Sequence, residues 1–213
     1  MMKLSTLLVC ALLAAAPSAF GQKWEFGGGV GGGFYSSNDV TSAGASASAK
    51  IQTNLAGSAW FGNNGSGHLG GELRYDYQNG ALELNQGSTH ATFAGVSHAI
   101  HYDFLFHFTD GESRVRPFVS FGGGIKIYRG TGTEAAFQPL SNFALLTKDQ
   151  DLTGLLSVGA GIKVGIMPHV QLRLDVHDYL TPFPKQIFAP AANAKVSGWM
   201  QDIVPMAGLA ITY

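Results

Sequence analysis

Residues 169–177 read HVQLRLDVH, and the reading of this stretch decides the fold. Val170, Leu172, Leu174 and Val176 share one parity, and Gln171, Arg173, Asp175 and His177 share the other. Side chains alternate across a strand, so this is a ribbon with one apolar and one charged face. A soluble sandwich turns the apolar face inward, whereas a transmembrane barrel turns it to lipid and keeps charge in the lumen.

The pattern extends outward from this ribbon. Similar alternation runs over 23–35, 45–61, 68–78, 90–108, 116–129, 152–166 and 198–213, which with 169–177 makes eight expected strands. The connections after the second, fourth and sixth strands (62–67, 109–115 and 167–169) are short. Those at 36–44, 79–89, 130–151 and 178–197 are long, and Pro182, Pro184 and Pro190 argue against a strand in the last. Short turns at one end and long loops at the other mark outer-membrane barrels, with both termini periplasmic.

Bulk composition agrees. The 213-residue chain is 13 % charged, about half the soluble norm, and no apolar run beyond residue 21 approaches the roughly 20 residues of a membrane helix. A net charge of −1 gives no reason to expect a nucleic-acid partner. Residues 1–21 read as a signal peptide: Lys3, an apolar run over 7–16, then Ala19-Phe20-Gly21 as cleavage site. The single cysteine, Cys10, lies inside it, and Val9 in front of it is not the small residue of a lipoprotein signal. The mature domain, 22–213, thus has no disulfide and no thiolate metal site.

Parity also assigns a lumen. Glu25, Glu72, Asp76, Asp103 and Asp175 oppose Lys50, Arg74, Lys126, Lys163 and Arg173, with His101 and His177 on the same face. Eight strands enclose an interior just wide enough for side chains, where charges are tolerable only when paired. A balanced set predicts a charge network that plugs the barrel. The other parity, with Trp24, Phe61, Phe108 and Tyr213 at one rim and His98 as its exception, reads as a lipid face.

Ala207, Leu209, Ile211 and Tyr213 alternate to a terminal aromatic residue. Arg116-Pro117-Phe118-Val119 precedes Gly122-Gly123-Gly124, and Gly159-x-Gly161-x-Lys163 precedes MPHVQLRLDVHDY. In order and spacing these features resemble the outer-membrane β-barrel domains of the OmpA, OmpX and opacity-protein type, over essentially all of 22–213. The resemblance implies an all-β, eight-stranded, antiparallel up-and-down transmembrane barrel. It implies that Ala207, Leu209, Ile211 and Tyr213 form an insertion signal for the β-barrel assembly machinery. Two departures stand out: no peptidoglycan-binding domain follows the barrel, and Pro205 interrupts the last strand, where a bulge or an extramembrane position is expected.

No residue set identifies an enzyme, a cofactor or a metal. His98 and His101, three apart on a strand, face opposite ways; Ser97 and His98 point apart; Ser88 and His90 lack an acidic orienter. Asp175 with His177, and His101 with Asp103 and His107, could serve as acid–base pairs but fit a charge network better. Gly27–Gly29 and Gly31–Gly33 lie within strands, not in a phosphate loop. The apolar side chains Phe183, Ile187 and Phe188 of the proline-rich loop are expected to fold over the barrel mouth. The reading is therefore a monomeric, non-enzymatic outer-membrane barrel, contacting lipid and acting structurally or through its outer loops on a surface partner. The alternatives are a narrow porin-like channel and a lipid-modifying enzyme.

Overall fold

The computed structural model describes residues 24–64, 67–196 and 198–213; the expected signal peptide and its Cys10 lie outside them. Eight strands close a barrel. They are β1 (Trp24–Tyr35), β4 (Asn54–Asn63), β5 (Leu69–Asn79), β8 (Gly95–His107), β9 (Val115–Gly130), β11 (Gln150–Met167), β12 (Val170–Pro182) and β15 (Trp199–Thr212). Every neighbouring pair is antiparallel, and β1 pairs with both β4 and β15 to shut the sheet. The expected all-β, eight-stranded antiparallel fold is the observed one.

The tight connections fall where the sequence placed them, at β4–β5, β8–β9 and β11–β12. The four long connections fold further. Strands β2 (Asn38–Ser42), β3 (Ala45–Ile51), β6 (Leu82–Gln86), β7 (Thr89–Phe93) and β14 (Lys195–Val196) form a second sheet in the order β14-β2-β3-β6-β7. Strands β10 (Ala144–Leu146) and β13 (Phe188–Pro190) form a two-stranded ribbon. Together these elements cap the loop end of the barrel.

Four expectations change. The fourth strand is not continuous over 90–108: its start, 90–93, belongs to β7 of the cap, and only β8 lies in the barrel wall. The second strand is not continuous over 45–61: Gln52 and Thr53 interrupt it, and β3 leaves the barrel wall for the cap. The break inverts the facing, because odd positions point outward in β4 (Leu55, Phe61) but inward in β3, where Ala47, Ala49 and Ile51 are buried. The seventh strand runs on to Pro182, whose missing N–H is tolerated at a strand end, and the loop beyond it regains strand structure at β13. Pro205 makes no bulge. It stays in register with Val176 of β12, and towards β1 the Gly31–Met206 and Phe34–Ile203 partners keep one register across it.

Two cores result. Outside the barrel wall lies a band of exposed apolar groups, among them Phe26, Val30, Leu73, Phe104, Phe121, Leu174 and Leu209, and Trp24 stacks on Phe61 at the turn-end rim. The interior is polar and ionic. The cap has an apolar core of Val40, Ile51, Leu84, Phe93, Phe143, Leu146, Phe183, Ile187, Phe188 and Met200, so the aromatic loop residues do fold over the mouth. Glycines let interior side chains cross where strands run close: a Cβ on Gly122 would stand 2.0 Å from the Tyr102 carbonyl oxygen and 2.2 Å from Asp103 Oδ1. Among the described residues no helix is long and apolar enough to cross a membrane.

Candidate functional site

Among the described residues, buried charged side chains converge in the barrel interior, in three tiers. At the turn end, Lys163 Nζ donates to Glu25 Oε2 at 2.6 Å and to Asn64 Oδ1 at 2.8 Å. Trp60 Nε1 donates to the other Glu25 oxygen at 2.7 Å. Arg173 grips Glu72 with both terminal nitrogens and Asp175 with Nε. This is the bidentate geometry that makes Arg–carboxylate pairs strong.

The middle tier is built on Arg74. Its Nε donates to Asp76 Oδ1 at 3.1 Å and its Nη1 reaches Asp175 Oδ2 at 3.2 Å. The two nitrogens of His101 face Asp103 Oδ1 at 3.0 Å and Asp76 Oδ2 at 3.2 Å, an arrangement that uses two N–H donors. Tyr179 donates its hydroxyl to Asp76 at 2.6 Å. At the loop end, Lys126 Nζ meets Asp202 Oδ2 at 2.5 Å and lies over the rings of Tyr35, Tyr128 and Tyr179. Gln78 Nε2 donates to the same carboxylate oxygen at 2.8 Å. Between this tier and the cap, Tyr35, Gln78, Ser97, Tyr128 and Ile187 border a cavity of only about 10 Å³, the space of about one water.

The structure brings together Glu25, Glu72, Arg74, Asp76, His101, Asp103, Lys126, Lys163, Arg173, Asp175 and His177, all buried. Lys50 does not join them. It sits on β3 beyond the Gln52–Thr53 break, points to the outer face of the cap and pairs with Glu83 at 3.2 Å. Its parity suited an unbroken wall strand, and the wall strand ends before it. Asp202 takes the Lys126 partnership instead. It shares the inward parity of Met200, Val204 and Met206, so the alternation that exposed Leu209 and Ile211 already pointed it inward. Tyr35, Gln78 and Tyr179 belong to the network as well; only their neighbours in space reveal it.

One constellation looks catalytic and its geometry argues otherwise. Ser157 Oγ lies 3.2 Å from His177 Nδ1 and 3.2 Å from Asp103 Oδ2. Arg74 Nη1, which can only donate, contacts His177 Nε2 at 3.1 Å. Nε2 is therefore the acceptor and Nδ1 carries the proton towards Ser157, the reverse of what a general base needs. Ser157 and His177 are also wholly buried. On the outer face, His98 accepts or donates one bond with the Tyr75 hydroxyl at 2.8 Å and is far from a metal set; among the described residues no cluster could hold a metal ion. Ala207, Leu209 and Ile211 face outward on β15, and Tyr213, one residue past its end, is exposed.

No protein-family model matches the chain, and no curated protein matches its sequence. Solved structures do resemble it. The outer membrane protein OprG from Pseudomonas aeruginosa superposes with a TM-score of 0.61 at 14 % identity, covering 91 % of this chain and 97 % of that one. Neisserial surface protein A superposes with a TM-score of 0.53 at 11 % identity, covering 89 % of this chain and 97 % of that one. At these identities what is shared is the fold.

Proposed function

From the premise that this chain has the eight-stranded outer-membrane β-barrel fold, we propose that it is a closed barrel of a bacterial outer membrane acting at the cell surface. Both termini are periplasmic, at the end of the short turns. The exterior supports a lipid environment: side chains such as Phe26, Val30, Leu73, Phe104 and Phe121 stand exposed on a wall whose buried face is ionic. That distribution is the inverse of a soluble barrel. The last strand, with Ala207, Leu209 and Ile211 outward and Tyr213 just past its end, acts as the insertion signal read by the β-barrel assembly machinery.

The observation that carries the reading is the double closure of the interior. Ion pairs fill it from Glu25 to Asp202, and the apolar core of the cap covers its mouth. A barrel so closed is a poor channel, and the buried polar groups of its middle and loop-end tiers are out of reach of a substrate. What remains available is the outside of the cap. Its second sheet presents Thr41, Ser46, Ser48, Asn85, His90 and Thr92 away from the apolar core, a polar face suited to a surface ligand or a structural contact.

Conductance in planar bilayers tests the closure. The purified barrel is expected to show no steady unitary current, and removal of the cap segments alone is expected to leave it closed, because the ionic tiers remain. Steady channels of defined size in the intact protein would replace this reading with a porin-like one. Binding of cap-exchanged cells to candidate surfaces then tests the interaction role: unchanged binding would remove it.

A further inference from the structure

Three cations lie side by side in one row of the interior at the turn end. Arg116 of β9 is in register with Lys163 of β11, and Lys163 with Arg173 of β12. Like charges opposed across strands destabilise a sheet unless neutralised. Arg173 is neutralised by Glu72 and Asp175, and Lys163 by Glu25. Glu25 is already engaged by Trp60 and Asn64 as well. Arg116 is left over. It is 3 % exposed, it forms no ion pair among the described residues, its terminal Nη2 donates to the Gly67 carbonyl at 3.2 Å, and its Nε has no partner.

A second buried group beside it is also unsatisfied. His107 is wholly buried and neither ring nitrogen has a hydrogen-bond partner. It stands directly across from Phe118, with ring centroids 5.9 Å apart, and Phe118 is the next inward-facing residue after Arg116 on β9. The same Phe118 ring lies 4.8 Å from the Arg173 guanidinium and 5.4 Å from Lys163 Nζ. Arg116, paired with no carboxylate among the described residues, thus lies two residues along β9 from the ring that the unpartnered His107 faces.

We propose that this end of the lumen binds a small inorganic oxyanion of the phosphate or sulfate class. The free edge of the Arg116 guanidinium holds it, and His107 is the second donor. A planar guanidinium edge matches two oxygens of such an ion, and a negative charge there completes the neutralisation of the row. The ion is a structural counter-ion, reached from the turn-end mouth, and ties barrel stability to anion concentration.

The test uses the full barrel in zwitterionic micelles at fixed ionic strength, with gluconate, too bulky for the lumen, as balancing anion. Added inorganic phosphate is expected to raise the unfolding midpoint to a plateau and to broaden its own phosphorus-31 line, with sulfate reversing the broadening. Arg116→Gln, shown folded by gel mobility, is expected to abolish both effects, and His107→Phe to weaken binding about tenfold. Arg116→Lys keeps the charge without the fork and is expected to bind more weakly, which covers a failure of the glutamine variant to insert. The proposal is overturned by wild-type protein that leaves the phosphate line sharp. Broadening that persists unchanged in the Arg116 variants overturns it equally.

Discussion

Removing Lys126 alone should harm the barrel more than removing Lys126 and Asp202 together. Lys126 and Asp202 are buried, their charged atoms are 2.5 Å apart, and the remaining polar contact of that carboxylate is the Gln78 amide at 2.8 Å. Lys126→Met strands a buried carboxylate, at a cost of about 3–5 kcal/mol. Asp202→Leu strands an ammonium. The rings of Tyr35, Tyr128 and Tyr179 soften that by about 1–2 kcal/mol, so the loss is about 2–4 kcal/mol. The double variant removes both charges and leaves only the Gln78 amide without its acceptor, about 1–2 kcal/mol. The two substitutions should therefore couple by several kcal/mol in the favourable direction. Equilibrium unfolding in urea from lipid vesicles, followed by tryptophan fluorescence and gel mobility, measures all four corners of the cycle. A double variant as unstable as the sum of the singles would refute the claim that stranded charge is what costs.

The cap should come apart without the barrel. Phe188→Ala opens a cavity in the cap core and is expected to cost it about 3–5 kcal/mol. Limited proteolysis should then cut within 131–149 while the wall strands stay protected; simultaneous loss of the wall would show that the two cores are one. The cap should also weaken in acid through Glu83. Burial pushes its carboxyl up, but hydrogen bonds from Gln52 and Lys50 and the charge of Lys50 outweigh burial and hold it below its ordinary 4.5. The stabilisation is present above that ordinary value and is lost as pH falls through the lower, folded one. Lys50→Met should raise the Glu83 midpoint in a carbon-13 titration, and a midpoint that stays put would mean that the pair exerts no such pull.

The barrel was legible in the sequence because a wall strand has one rule, alternation, and HVQLRLDVH obeys it: Arg173, Asp175 and His177 are buried while Leu174 and Val176 are exposed. The same rule misplaced Lys50. Parity survives the Gln52–Thr53 break, yet the meaning of the parity does not: below the break the polar face is inside, above it the apolar face is inside. Periodicity carries no mark of where a strand leaves the barrel wall for the cap. Asp202 was within reach of the rule and needed only its extension along β15. Arg116 is the second residue of β9, beside Pro117, where an edge position and an interior one read alike. Which partners an interior residue has depends on strand register around a closed wall, and that is set jointly by all eight strands rather than by any one of them.

On the membrane reading, the two cores follow from the two solvents. Lipid is as apolar as Leu174 or Phe121, so outward side chains gain little by turning inward, and the hydrophobic effect cannot organise the wall. Its order must come from backbone pairing and from interior polar groups that satisfy one another, because a stranded one is expensive. Above the membrane, water returns and so does the apolar driving force, and the chain answers with Phe143, Phe183, Ile187 and Phe188 packed inward. The residues at the junction have to serve both regimes. Tyr128 packs its ring into the cap core and donates or accepts at Thr181 Oγ1 across 2.8 Å, and Tyr35 packs against the same core while its hydroxyl bonds Gln78 and Ser97 in the tier below. Replacing both by phenylalanine should leave the cap core intact and loosen only the seam, so that hydrogen exchange at Gln78, Ser97 and Thr181 rises while the deeper Arg74 tier keeps its protection. Equal acceleration in both tiers would show that the interior melts as one network and that the seam is no boundary.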